Sequence, residues 1–319
     1  MGASTFISNI EAAVGAGATF DIQPPAGQAY CITEFFGDVA FVGDQPDVSV
    51  ALRDGVHADA VVIIDPTTAA QKGQRKKEIY ITNANYLRVT NTGAGANNVG
   101  WSGYRVDPNI VITDIQTVPN AARYDIRPPA GQVWKITEIG AETMGAANHP
   151  DLTFFITDGT LVASAIMDET HNLKQQKLLN WYISHDIWIQ VLDLSGADND
   201  LGFSGILVEV EHVGDVTDVV GSATMDIQPP DGEQWVITEF SVQTWAGVAP
   251  AGSGDVTISL YDGTNLSDIA EAGSVSDSLI NNHDIEIMID HDHYIRVTEV
   301  STGNNEVGYI GYVYREYEP

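Results

Sequence analysis

The residues in this sequence best suited to chemistry lie at Asp290-His291-Asp292-His293, with His283 nearby. Two histidines at i and i+2 of a strand project to one side, which is what a shared transition metal requires. The corresponding positions elsewhere in the chain hold Asn83 and Asn85, then His185 and Ile187, so the fold does not need the pair. His291, His293, Asp290 and Asp292 therefore read as an acidic loop leading into a strand, and no metal is assigned to them. Calcium at such a carboxylate-rich turn is not supported by any EF-hand spacing. Cys31 is the only cysteine, sits mid-strand beside Tyr30 and has no counterpart in related stretches. It is not read as a nucleophile, and it leaves no intrachain disulfide to form. Nucleophile elbows, zinc-protease helices, phosphate loops and dinucleotide fingerprints are all missing. The chain is expected to be non-enzymatic and to use no cofactor.

A second cluster is basic. Lys72, Arg75, Lys76 and Lys77 place four cations in six positions, and Lys174 and Lys177 occupy the matching loop of the next repeat. Such a loop can be a solvated guard on a strand edge, or it can dock onto an acidic partner.

The rest of the chain is strongly acidic. Its 319 residues carry 14 Lys+Arg against 44 Asp+Glu, a formal net charge of -30. That balance argues against a duplex nucleic-acid binder, which must meet phosphates with a basic face, and against docking on anionic membrane. Asp outnumbers Glu 28 to 16 and only six lysines occur. A protein this acidic repels itself in dilute buffer, whereas at molar salt the screening length falls to about 3 Å. The composition reads as halophilic. No 18-residue apolar run marks a membrane span. The opening Met1-Gly2-Ala3-Ser4-Thr5-Phe6 has neither the basic nor the apolar region of a signal peptide.

The elements that must carry these residues are written three times. Phe20-Asp21-Ile22-Gln23-Pro24-Pro25-Ala26-Gly27-Gln28 returns as Tyr124-Asp125-Ile126-Arg127-Pro128-Pro129-Ala130-Gly131-Gln132 and as Met225-Asp226-Ile227-Gln228-Pro229-Pro230-Asp231-Gly232-Glu233. Each copy continues with Ile-Thr-Glu at residues 32–34, 136–138 and 237–239, then an Asp-Gly pair at Asp54-Gly55, Asp158-Gly159 and Asp262-Gly263. The closing strands carry Gly100-Trp101-Ser102-Gly103, Gly202-Phe203-Ser204-Gly205 and Gly308-Tyr309-Ile310-Gly311. A unit of about 100 residues is domain-sized. Boundaries are expected at 1–107, 108–213 and 214–319. Short runs rich in Val, Ile, Thr and aromatics, about eight per copy, predict an all-β protein of three tandem jelly-roll-like β-sandwich domains. Between these boundaries the net charge falls from -4 through -9 to -17.

Local features follow from the same residues. Pro-Pro-Xaa-Gly should turn the chain between two strands, and Asp-Gly should close a hairpin. In the second strand Trp134 and Ile136 share a face but Ile139 falls on the other, a slip repeated at Phe35 and Phe240. A β-bulge near Thr-Glu is expected. The inward glycines 103, 205 and 311 should leave room for the rings of Tyr30, Trp134 and Trp235. Glu34, Glu138 and Glu239 are expected to meet Arg88, Gln190 and Arg296, or else to face solvent.

The segment Ile-(Gln/Arg)-Pro-Pro-(Ala/Asp)-Gly-(Gln/Glu)-Xaa-(Tyr/Trp)-Xaa-Ile-Thr-Glu resembles one found in small virion proteins of tailed viruses, including those of haloarchaea. About 20 residues of each copy carry the resemblance. It implies a head-decoration, turret or tail-associated virion component, assembled in the host cytoplasm, with other capsid or tail proteins as partners. A homo-oligomer, trimer or pentamer, around a virion axis is expected, with no nucleic acid and no membrane as partner. The first repeat would dock and the acidic third would project. The alternative is a receptor- or glycan-binding tail or fibre protein mediating adsorption, with loops such as Ala246 to Gly254 at the contact.

Overall fold

The computed structural model describes residues 5–39, 48–57, 61–64, 75–143, 152–168, 179–193, 196–220, 223–244, 256–272, 286–299 and 304–315. The first set of eight strands comprises β1 (Phe6–Val14), β2 (Thr19–Ile22), β3 (Ala29–Val39), β4 (Val48–Arg53), β5 (Val61–Ile64), β6 (Arg75–Thr82), β7 (Tyr86–Asn91) and β8 (Asn97–Val106). After a single 3-10 turn at Pro108–Ile110 come β9 (Val111–Val118), β10 (Arg123–Ile126), β11 (Val133–Thr143), β12 (Leu152–Thr157), β13 (Val162–Asp168), β14 (Trp181–Ser184), β15 (Trp188–Asp193) and β16 (Asn199–Val208). The last eight are β17 (His212–Val220), β18 (Thr224–Ile227), β19 (Gln234–Thr244), β20 (Val256–Tyr261), β21 (Leu266–Ala272), β22 (Ile287–Ile289), β23 (Tyr294–Glu299) and β24 (Asn304–Tyr314). No helix among the described residues is long and apolar enough to cross a membrane.

Each set forms two antiparallel four-stranded sheets in one order. In the first they run β1-β8-β3-β6 and β2-β7-β4-β5, and the second and third sets repeat both orders with every strand number raised by eight or sixteen. Successive strands alternate between sheets except for the β4–β5 hairpin and its counterparts, whose two strands are neighbours in one sheet, and this is the jelly-roll arrangement of two nested Greek keys. The protein is a chain of three jelly rolls, each around its own apolar cluster of inward Ile, Val and Leu.

The repeated motifs make the sharp features of each roll. Gly27, Gly131 and Gly232 all adopt positive φ, and the residue after each donates its N–H to the second proline's carbonyl at 3.0–3.1 Å. That turn carries the chain from one sheet to the other. At the Asp-Gly hairpins the aspartate accepts from the two N–H groups beyond the glycine, as with Asp262 from Thr264 (2.8 Å) and Asn265 (2.6 Å). These bonds hold Asp262 at about 2, below the ordinary carboxylate range.

The expected bulge is present in every repeat. Pairing of β3 with β8 slips between Ile32 and Glu34, of β11 with β16 between Ile136 and Glu138, and of β19 with β24 between Ile237 and Glu239. The extra residue is always the threonine of Ile-Thr-Glu. The bulge also explains the inward glycines, and here the ring-space expectation is corrected. A Cβ on Gly103 would lie 2.0 Å from the Cys31 carbonyl oxygen, and on Gly205 and Gly311 it would lie 2.2 and 2.1 Å from those of Lys135 and Val236. The glycine admits the neighbouring backbone of the bulged strand, not a ring. Tyr30 instead stacks on Trp101, centroids 6.4 Å apart.

Candidate functional site

Within the described residues, Asp290 to His293 are not brought into a metal geometry, and His283 lies outside those residues. Asp290 to His293 form the turn between β22 and β23, where Asp290 Oδ1 accepts the backbone N–H groups of Asp292 (2.9 Å) and His293 (2.6 Å). His293 Nδ1 lies 3.3 Å from the same oxygen, whereas His291 Nδ1 lies 3.1 Å from the Pro229 carbonyl. The i, i+2 argument fails because these residues are in a turn and not a strand. Among the described residues no three metal-ligating side chains converge.

His291 has a different role, legible only by comparing repeats in three dimensions. Asn83 Nδ2 donates to the Pro24 carbonyl at 2.8 Å, and His185 Nδ1 lies 3.1 Å from that of Pro128. In return Gln23, Arg127 and Gln228 donate to the backbone carbonyls of Asn83, His185 and His291 at 2.7, 2.7 and 2.6 Å. The Gln/Arg-Pro-Pro motif is thus a clasp that ties the turn after β2 to the turn before β7.

The expected pairing of the motif glutamates is also corrected. Arg88 makes a two-pronged contact with Asp21 (2.7 and 2.8 Å), Arg296 the same with Asp226 (2.6 and 2.7 Å), and Gln190 donates to Asp125 at 3.0 Å. The reason is sheet membership: Asp21 lies directly opposite Arg88 in the β2–β7 pair, whereas Glu34 belongs to the other sheet.

The basic cluster falls at the edge strand β6. Arg75 and Lys76 oppose Phe35 and Glu34 in its pairing with β3, and Lys77 follows. Lys72, Lys174 and Lys177 lie outside the described residues, as does the loop Ala246 to Gly254. Cys31 is buried and its thiol is pushed up to about 11, chiefly by burial, which suppresses the reactive thiolate. A cleft of ≈ 300 Å³ in the second repeat is lined by Asp114, Tyr124, Asp125, Arg127, Trp134 and Phe203 among others. Arg127 is already committed, lying 3.6 Å over the Trp188 ring, and the lining holds no nucleophile paired with a base.

What the geometry does build is a junction, made twice. The outer edges of one roll's two sheets, β5 and β6 in the first roll and β13 and β14 in the second, lie against the outer face of a sheet of the next roll. At the first junction Ser204 Oγ is 2.6 Å from Tyr80 N and 2.9 Å from Tyr80 O, closing both backbone groups that β6 turns away from its own sheet. Thr137, the bulge residue, donates to the Glu78 carbonyl at 2.5 Å, and Lys135 pairs with the Glu78 carboxylate at 3.1 Å. Ile115 of β9 is only 1% exposed because it enters the apolar cluster of the first roll.

The second junction repeats the plan with other side chains. Tyr182 occupies the position of Tyr80, as the register against Lys135 and Cys31 shows. Its carbonyl lies 3.1 Å from His212 Nε2, and its ring packs on Tyr312 with centroids 4.5 Å apart. Trp181 Nε1 donates to Glu239 Oε2 at 3.0 Å, and Val216 and Ile310 enter the second roll's cluster. Burial drives the His212 pKa down to about 4, so the ring is neutral and donates from Nε2. The Thr and Glu of the Ile-Thr-Glu motif therefore serve between domains, a role that outward polar residues on a bulge hint at but do not specify.

Neither a protein-family model nor a curated protein matches the sequence. Among solved structures, one similar chain comes from the atomic structure of Sulfolobus Turreted Icosahedral Virus, at 9% identity and a TM-score of 0.25, covering 98% of this chain and 90% of that one. Another comes from work on the triple jelly roll fold and turret assembly in an archaeal virus, at 12% identity and a TM-score of 0.22, covering 98% and 89%. At such scores the superposition is loose, and the jelly-roll assignment rests on strand order and register.

Proposed function

We propose that this chain is a non-enzymatic virion structural protein, a capsid turret or decoration component of a halophilic tailed virus. The observation that carries the reading is the doubled junction. First-roll strands touch the second roll and second-roll strands touch the third, while among the described residues no first-roll strand makes comparable contact with the third. Three rolls joined edge to face make a stalk, and the rise in acidity toward the third roll suits a tip held in brine, with the first roll docked on other virion proteins. The Pro-Pro-Xaa-Gly resemblance supports the same class. Such a protein would be incorporated in particles assembled in the host cytoplasm, as a homo-oligomer around a symmetry axis.

The test is antibody labelling of purified particles together with deletion of the coding sequence. Label on the particle surface, and particles that lose integrity on deletion, are expected. Intact particles that fail to adsorb would transfer the assignment to a receptor- or glycan-binding tail protein. Absence of label from particles would overturn both.

A further inference from the structure

Both halves of the interdomain junction recur at opposite ends of the three-roll stack, each with an apolar side chain left exposed, Ile10 on the face and Met288 on the edge. In the first roll, β1 pairs with β8 in the register that β9 keeps with β16, so Ile10 stands where Ile115 stands, Ser102 where Ser204 stands, and Thr33 where Thr137 stands. The three residues that receive the edge of the first roll are thus present in the same chemistry on the first roll's own outer face. Among the described residues no strand of another roll covers Ile10, although Ser102 is itself only 8% exposed. Ile10 is 73% exposed and Phe6, at the start of the same strand, 71%, whereas Ile115 and the third-roll counterpart Val216 are 1% and 3% exposed. Without an edge strand to cap, Ser102 Oγ donates to Glu34 at 3.3 Å, where Ser204 donates to Tyr80 O.

The complementary half is on the third roll. Its edge strand reads Glu286-Ile287-Met288-Ile289 against Glu78-Ile79-Tyr80-Ile81 in the first, and Met288 opposes Val236 as Tyr80 opposes Cys31. Met288 is 52% exposed, while Tyr80 is buried against the second roll. An exposed strand edge beside an exposed apolar side chain is a surface that proteins normally cover.

We propose that the third-roll edge of one copy seats on the first-roll face of a second copy, forming a third junction of the kind already present twice within the chain. The contact is heterologous, so it propagates head to tail and leaves one free face and one free edge at the ends. It goes beyond the virion reading and does not depend on it; the free face at the base of such a stack would still be available for docking. Cys31 stands where Lys135 stands, so the copy-to-copy junction lacks the Lys135–Glu78 ion pair. With a net charge of -30 on each copy, association should therefore strengthen with salt.

Sedimentation velocity on the full chain across concentration at molar salt tests this. Wild type should form a concentration-dependent series of dimers and longer species. Ile10→Glu and Met288→Glu, both at exposed positions and each checked for an unchanged unfolding transition, should each remain monomeric. An equimolar mixture of the two variants should form a 1:1 dimer and nothing larger, since only one intact face and one intact edge remain to meet. A wild type that stays monomeric, an assembly that neither substitution weakens, or a mixture that stays monomeric would each overturn the inference. A side-by-side trimer or pentamer insensitive to both substitutions would overturn it while leaving the virion reading intact.

Discussion

Ser204 of the second jelly roll closes both main-chain groups of Tyr80 in the first, lying 2.6 Å from its nitrogen and 2.9 Å from its oxygen. One hydroxyl, donor and acceptor at once, thereby removes the exposed edge of β6 from competition with other strands. Ser204→Ala would leave a buried N–H and a buried carbonyl unpaired, a loss of about 1–3 kcal/mol. Calorimetry should show the first roll melting earlier and separating from the rest; an unchanged single transition would remove Ser204 from the junction.

Ile115 and Ile10 offer a paired comparison, because they are the same residue at the same repeat position in covered and uncovered settings. Ile115→Ala should destabilise by roughly 2–5 kcal/mol, as expected for a buried aliphatic truncation. Ile10→Ala should stay within about 0.5 kcal/mol of wild type, as surface changes usually do. Denaturant unfolding at low protein concentration measures both.

His212 makes the second junction pH-dependent. Its pKa in the folded chain is lowered from 6.5 to about 4, so the unfolded state binds the proton more tightly. The contribution is fully present above pH 6.5 and is lost as pH falls from there toward 4, by on the order of 3 kcal/mol at completion. Unfolding free energies of wild type and His212→Gln should converge across that window, because carboxylate titrations are common to both. A difference that stays constant with pH would show that the imidazole is not the group involved.

The Asp21–Arg88 pair should contribute little despite its two-pronged geometry, since both side chains are about a third exposed. The second repeat already manages with Gln190 at the position of Arg88. Arg88→Gln should cost less than about 1 kcal/mol, and less still as salt is added. A larger cost in chemical denaturation would mean that the pair orients the sheet.

Gly103→Ala should be far more damaging than its size suggests. The added methyl would sit 2.0 Å from the Cys31 carbonyl oxygen, a backbone atom that cannot step aside without undoing the bulge. Insoluble or unfolded protein is expected, whereas Gly15→Ala, which meets nothing within 4 Å, should be tolerated. Soluble, cooperatively folding Gly103→Ala would refute the close-approach account.

The repeats made much of each roll readable in advance. Gly27 and its counterparts signalled a turn because only a residue at ease with positive φ follows Pro-Pro-Xaa there. The wrong-face placement of Ile139 signalled the bulge because side chains alternate strictly along an unbroken strand. The partner of Arg88 is Asp21 and not Glu34, because spacing along the chain does not say which sheet a strand joins. Ser204 and His212 carry no such signal, and the bulge at Thr137 is only a hint: a polar residue facing outward from a sheet looks the same in sequence whether it meets water or another domain.

Sequence alone determined the triplication, the strand count and the turns, because these depend on local backbone preference and on the period-two pattern of apolar residues. The tertiary structure decided strand order, the clasp between Gln23 and Asn83, and the two edge-to-face junctions. Those depend on which distant surfaces meet, and that is fixed only when all three apolar cores close and dictate where each edge strand comes to rest.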